Sequence, residues 1–90
     1  MVTQKEIQDC MARMIADAMY MDLQELNEDE LFSNFGLESL TLVKLVARIN
    51  ELYGVRIAAR AIVKYQTLRA ASQFIYQEIV TQQEVQHASP

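Results

Sequence analysis

Apolar residues recur along this chain at spacings of three and four, separated by polar ones, and the pattern predicts four helical segments. On the first, Ile7, Cys10, Met11, Met14, Ile15 and Ala18 share one face that packs inward. Ahead of it, Thr3-Gln4-Lys5-Glu6 is a start signal, a capping box in which the threonine hydroxyl and the glutamate carboxylate satisfy each other's backbone N–H groups. From Met19 to Phe35 the periodicity fails. There Asn27-Glu28-Asp29-Glu30 interrupts a scatter of Leu23, Leu26, Leu31, Phe32 and Phe35, which reads as a long connection pinned by apolar anchors. Connections of that length in small domains are usually functional or contain short helical turns.

The periodicity resumes behind Phe35-Gly36-Leu37-Glu38-Ser39. Gly36 permits a backbone conformation closed to other residues, Glu38 brings negative charge to the positive end of a helix, and Ser39 falls in the first turn. A phosphate ester on Ser39 would meet free N–H groups and a favourable dipole there. Gly54 closes the helix about four turns later. Its apolar positions are too many for one face. Leu42, Leu45, Val46, Ile49 and Leu52 or Tyr53 form a core stripe, while Leu40, Val43 and Ala47 form a second one beginning beside Ser39. The second stripe is either an exposed docking surface or the edge of a wide core face.

A short third helix is expected around Ala58 to Lys64, and a last one from Thr67, with Thr67 as N-cap and Leu68, Ala71, Phe74 or Ile75, and Ile79 facing inward. The fold class is therefore all-α, a four-helix bundle of three main helices and a short third, with a long first loop. Stability is expected to rest on Ile7, Met14, Leu45, Val46, Ile49, Phe74 and Ile75. One folded domain is assigned to residues 1–82 and a polar tail to 83–90.

Composition narrows the function. Ninety residues make one domain, and a chain of this size buries only about 60% of its unfolded surface, which favours binding or carrying over a deep catalytic pocket. Half the residues are hydrophobic (51%), with two glycines and one proline, too apolar for disorder and too poor in breakers for an all-β fold. No apolar run approaches the roughly 20 residues of a membrane span and the first residues lack a signal peptide's character, so a cytoplasmic protein is expected. Cys10 is the only cysteine, which excludes an internal disulfide and gives a thiolate-based metal site no second sulfur; its role is buried packing, with a reactive thiol as the alternative.

The net charge of −4 conceals a division. Residues 1–40 hold nine acids against two bases, and residues 41–70 hold six bases against one acid. Lys44, Arg48, Arg56, Arg60, Lys64 and Arg69 could form a basic face, but the acidic remainder and the lack of interleaved aromatics other than Tyr53 and Tyr65 argue against nucleic acid. Solvated helix surface or a protein-docking face remain. Among other candidate chemistry, His87 is the only histidine and lies in the polar tail, so a Ser39/His87 nucleophilic pair would need that tail to fold back with a third, orienting group. Glu28, Asp29 and Glu30 read as a solvated loop, since nothing nearby would hold their pKa values apart.

The stretch Gly36-Leu37-Glu38-Ser39-Leu40 resembles the hallmark of acyl and peptidyl carrier proteins, a Gly-x-Asp-Ser-Leu turn opening the second helix, with glutamate for aspartate. Thr41-Leu42-Val43-Lys44-Leu45-Val46 looks like the family's continuation, with Lys44 at a position often acidic. Leu31, Phe32 and Phe35 before the turn, the Tyr53-Gly54-Val55-Arg56-Ile57 exit and Tyr65-Gln66-Thr67-Leu68-Arg69 before the last helix fit as well, the last without the family's frequent proline. The likeness covers nearly all of residues 3 to 80.

The resemblance implies that Ser39 is the attachment point of a 4'-phosphopantetheine arm, framed by Gly36, Leu37, Glu38 and Leu40. A phosphopantetheinyl transferase would install it from coenzyme A, with magnesium held in that enzyme's complex, since Glu38 alone is no metal cage. The arm's thiol would then carry acyl intermediates as thioesters to loading, condensing or tailoring enzymes, raising their effective concentration. Leu40, Val43, Lys44, Ala47 and Arg48 would be the docking residues. Lys44 and Arg48 make this helix less acidic than that of a fatty-acid carrier, so partners that read acidic surfaces would bind it poorly. That points to polyketide or hybrid polyketide–peptide biosynthesis, by a free-standing, monomeric carrier that is not itself an enzyme. The alternatives are a peptidyl carrier of nonribosomal synthesis and an unmodified helical interaction module, although the latter would have no need of Ser39.

Overall fold

The computed structural model describes residues 2–88, the side chains of Phe35 and of residues 84–88 excepted. Helix α1 spans Gln4–Met19. Thr3 is its N-cap, and its hydroxyl accepts the Glu6 N–H at 3.2 Å. That is one arm of the predicted box; no bond from the Glu6 carboxylate back to Thr3 occurs among the described residues. The buried stripe is Ile7, Met11, Ala12, Ile15 and Ala16. The inward face is thus turned from the expected one: Ala18 is exposed, and Cys10 and Met14 are half-buried. Alanines in the stripe allow close helix approach, and the principal neighbour of α1 is the last helix.

No glycine ends α1. Tyr20 takes the left-handed conformation (φ 55°, ψ 42°), and its N–H and that of Met21 satisfy the final carbonyls. An L-residue held there costs on the order of 1 kcal/mol, and its ring is 98% exposed.

The first loop contains two short 3₁₀ turns, Leu23–Glu25 and Phe32–Phe35. Its anchors are fewer than expected. Phe32 is buried and Leu26 half-buried, but Leu23 and Leu31 are exposed, and the side chain of Phe35 lies outside the described residues. Hydrogen bonds to the last connection do the rest. Phe32 donates its N–H to the Gln66 carbonyl at 2.7 Å, Leu31 pairs with Thr67, and the Arg69 N–H reaches the Glu28 carbonyl at 2.9 Å. The Arg69 guanidinium also binds the Asp29 carboxylate at 2.7 and 3.2 Å and the Glu28 carboxylate. Glu28 and Asp29 are therefore not idle loop charges.

The Arg69 hydrogen bond, aided by its positive charge, holds the Asp29 carboxyl below the usual carboxylate range. A carboxyl whose pKa is depressed by folding stabilises the folded state above its unfolded pKa, and that contribution is lost as pH falls through the folded value. Arg69→Gln keeps the backbone bond and removes the fork, so it should lower the melting temperature at pH 7. The gap from the parent should close below about pH 4 and shrink in high salt, as expected of side chains this exposed. Melting curves of both proteins across pH 3 to 7 would check this.

Helix α2 spans Ser39–Tyr53 and ends at Gly54, left-handed at φ 64°. It buries Leu42, Leu45, Val46 and Ile49; Tyr53 is half-buried and Leu52 is exposed. The exit strap is fixed by two amide side chains acting as backbone partners. Asn50 bonds both the N–H (2.9 Å) and the carbonyl (3.0 Å) of Ile57. Gln82 bonds the N–H (2.8 Å) and the carbonyl (3.0 Å) of Arg56. Val55 and Ile57 are thereby held in the core.

Helix α3 is a single turn, Ala59–Ile62, with Ile62 fully buried. Helix α4 spans Leu68–Ala88, capped as expected by the Thr67 hydroxyl, which accepts the Ala70 N–H at 3.2 Å. Leu68, Ala71, Ile75 and Ile79 face the core; Phe74 is half-buried and stacks on Tyr65 at 4.7 Å. The buried Ser72 hydroxyl donates to the Arg69 carbonyl at 3.0 Å. The helix runs on into the stretch assigned to the polar tail. The described residues thus form four helices with no strand beyond the Leu31–Thr67 bridge, the predicted fold class.

Candidate functional site

The 3₁₀ turn Phe32–Phe35 closes on Gly36, left-handed at φ 76° and ψ 20°. The Gly36 N–H bonds the Ser33 carbonyl (3.2 Å) and the Leu37 N–H the Phe32 carbonyl (3.1 Å). A Cβ on Gly36 would find its nearest neighbour, the Met19 Cε, at an ordinary 3.8 Å, so glycine is required for its torsion angle and not for space. Leu37 then drops into the core, anchoring the turn between exposed Gly36 and exposed Glu38.

Glu38 is the N-cap of α2. It is extended (φ −94°, ψ 163°), makes no side-chain capping bond, and accepts the Leu42 N–H on its carbonyl at 3.1 Å. The first amides of α2 are therefore left without a side-chain cap at the positive end of the helix dipole. Ser39, the first helical residue, is exposed, and its hydroxyl makes no hydrogen bond among the described residues. Beside it lies a groove of about 190 Å³ lined by Phe32, Leu37, Ser39, Leu42, Val63 and Tyr65. Val63 and Tyr65 have no site role in the sequence, where Val63 falls in the expected third helix and Tyr65 opens the stretch before the last one. A phosphodiester on Ser39 fits: it would have unpaired amides next to it, and a chain leaving it would start at the mouth of a groove that mixes these apolar side chains with Ser33 and Gln66.

The second stripe of α2 faces outward. Leu40 is 63% and Val43 47% exposed, and Ala47, Lys44 and Arg48 are exposed with them. Arg48 makes an exposed ion pair with Glu51 at 3.3 Å. Cys10 packs beside Tyr53 at the α1–α2 groove, where burial, with Cys10 and Glu6 nearby, raises the Tyr53 phenol above its ordinary pKa. The side chain of His87 lies outside the described residues, so the Ser39/His87 pairing has no geometry to weigh. No group of three metal-ligating side chains occurs among the described residues, and no described helix is long and apolar enough to cross a membrane.

The chain is similar to known proteins in sequence and fold. The family model for the phosphopantetheine attachment site matches residues 11–75. The chain is 36% identical over 74 residues to the acyl carrier protein TtuC of Teredinibacter turnerae, covering 82% of this chain and 85% of that one. It is 28% identical over 81 residues, 90% of this chain, to the polyketide synthase PksL of Bacillus subtilis, of which the match is 2%. Among solved structures, the HMG-ACPI domain of the CurA module from Lyngbya majuscula superposes with a TM-score of 0.75 at 30% identity, covering 89% of this chain and 81% of that domain. A free-standing peptidyl carrier protein from Acinetobacter baumannii gives a TM-score of 0.78 at 16% identity over 84% of this chain and 95% of that one, a likeness of fold. With the attachment-site model spanning most of its length and TtuC matched along most of both chains, this chain belongs to the phosphopantetheine-binding carrier family, whose members bear a covalently attached 4'-phosphopantetheine.

Proposed function

We propose that this chain is an acyl carrier protein of a polyketide or hybrid polyketide–peptide pathway, modified on Ser39. The observation that carries the reading is the exposed Ser39 hydroxyl, unbonded among the described residues, at the uncapped start of α2 behind the Gly36–Leu37 turn. A phosphopantetheinyl transferase supplies the base that takes the Ser39 proton; Ser39 Oγ forms the new phosphoester and adenosine bisphosphate leaves from coenzyme A. When bound, the arm supplies a thiol on which acyl groups ride as thioesters. The chain's own contribution is to anchor the attachment turn on the core through Leu37 and Phe32 and to present α2 to the enzymes that load, extend or tailor the cargo. The acyl carrier protein TtuC supports the carrier reading and the polyketide synthase PksL the polyketide setting. The carrier unit corresponds to residues 1–82 and works as a monomer. Incubation with coenzyme A, magnesium and a broad-specificity transferase should add one arm, placed on Ser39 by fragmentation mass spectrometry; addition elsewhere, or none, would reject the assignment.

The exposed stripe supplies the docking centre. Val43→Asp places a carboxylate in water, so melting should move by no more than the equivalent of about 0.5 kcal/mol. Acyl transfer by partner enzymes should fall roughly thirtyfold, the cost of losing an apolar anchor worth about 2 kcal/mol. Melting and transfer measured on the same sample separate the two effects.

A further inference from the structure

Behind Ser39 and the exposed Glu38 beside it, α2, α3 and the residues that follow are rich in bases, on a chain whose net charge is −4. Along α2, Lys44 and Arg48 flank the exposed Leu40–Val43–Ala47 stripe on one side. On α3 and the residues after it, Arg60, Val63 and Lys64 stand at spacings of three and four, all exposed, and Val63 lines the same groove as Ser39. Between Ser39 and Lys64 the sequence holds five bases and a single acid, Glu51, which is paired with Arg48. Lys44, Arg56, Arg60 and Lys64 have no ion-pair partner among the described residues. The other acids lie on α1, the first loop and α4, with Glu38 at the N-cap of α2; of these, Glu28 and Asp29 are engaged by Arg69.

We propose that this face docks enzymes whose carrier-binding cleft is apolar at its centre and rimmed with carboxylates. The inference rests on the reading of Ser39 as the arm's attachment point, because that reading brings enzymes to this end of the molecule. An apolar centre supplies affinity, while the surrounding charge sets orientation and encounter rate and rejects partners of the same sign. Leu40, Val43 and Val63 are the exposed apolar side chains that these elements offer to such a cleft, and Lys44, Arg48, Arg60 and Lys64 the exposed bases. Nucleic acid is the poorer occupant: the Tyr65 ring is stacked on Phe74 and Tyr53 is half-buried, which leaves neither free to stack on bases.

The test uses one polyketide condensing enzyme in two versions, with four glutamates or four lysines set around its carrier cleft. The full chain is first converted to the arm-bearing form, with conversion confirmed by mass, and then acetylated. Transfer to the glutamate version should exceed transfer to the lysine version by on the order of tenfold in kcat/KM at low salt, with the preference fading at 0.5 M salt. Lys44→Glu combined with Lys64→Glu should invert the preference. Lys5→Glu, on the opposite, α1 side of the sequence's charge division, should leave the preference intact. Equal rates with both versions, zero included, overturn the proposal, as does a Lys5→Glu effect equal to that of Lys44→Glu. Binding to phosphatidylglycerol vesicles or duplex DNA tighter than to the glutamate enzyme, and lost in the same variants, also overturns it. Absence of the arm from Ser39 is seen beforehand by mass and rejects the attachment reading alone, since calorimetric titration of the unmodified chain against the two versions still judges the face.

Discussion

Alanine at position 39 is expected to abolish arm attachment while leaving the protein folded. The reaction needs one oxygen nucleophile at the start of α2, and removing Oγ removes it outright, so uptake should fall to zero and not merely slow. Structure should be indifferent. The Ser39 side chain is exposed and donates to no described residue, so its loss opens no cavity and strands no partner, and changes of this kind stay within about 0.5 kcal/mol. Mass spectrometry after exhaustive transferase treatment and a thermal melt of the same variant read the two halves. Transfer of the arm to Ser33 or Thr41 in the variant would show that the turn guides the transferase only loosely. A melting temperature lowered by about 10 °C would show that Ser39 is structural.

The largest stability effect is expected ten residues further along the same helix. Ile49 is fully buried, inside a cluster that draws on all four helices. Ile49→Ala removes three carbons from a site that cannot fully collapse and should cost about 2 to 5 kcal/mol. A domain of this size has on the order of 5 to 13 kcal/mol in all, so the variant should melt about 10 °C or more below the parent. Urea titration would show the midpoint falling with the slope unchanged. Ile49 and Val43 differ by less than two turns, yet one variant should lose stability and the other its partners.

What could be read from the sequence depended on how local the determinant was. The Gly36–Leu40 turn is five consecutive residues, and its chemistry was visible in them. The two stripes of α2 were equally legible, but only the packing decides which is covered, and it covers Leu42, Leu45, Val46 and Ile49. On α1 the inward face was misplaced because alanine carries little hydropathic weight: Ala12 and Ala16 are buried and Ala18 is not. Ile62, on a one-turn helix too short to show a period, went unmarked although it is fully buried, while Met14 and Phe74 are only half-buried. Polar determinants that act across long separations left no periodic trace at all. Asn50, Gln82 and the Arg69 fork hold two connections in place, yet each looks like ordinary surface residue in a helix or loop.

The seam between the first loop and the approach to α4 has a consequence for motion. Phe32 and Arg69 donate backbone hydrogens across it, in opposite directions along the chain, and few apolar side chains of the loop are buried beneath. Its amides are therefore protected against hydrogen exchange only while both sides are closed, and they share an opening free energy below that of global unfolding. Gly36 and Leu37 follow directly on one side of that seam. The pose of the attachment turn is then an equilibrium property of a small cooperative unit joining residues near 30 to residues near 68, and the first turn of α4 takes part in it.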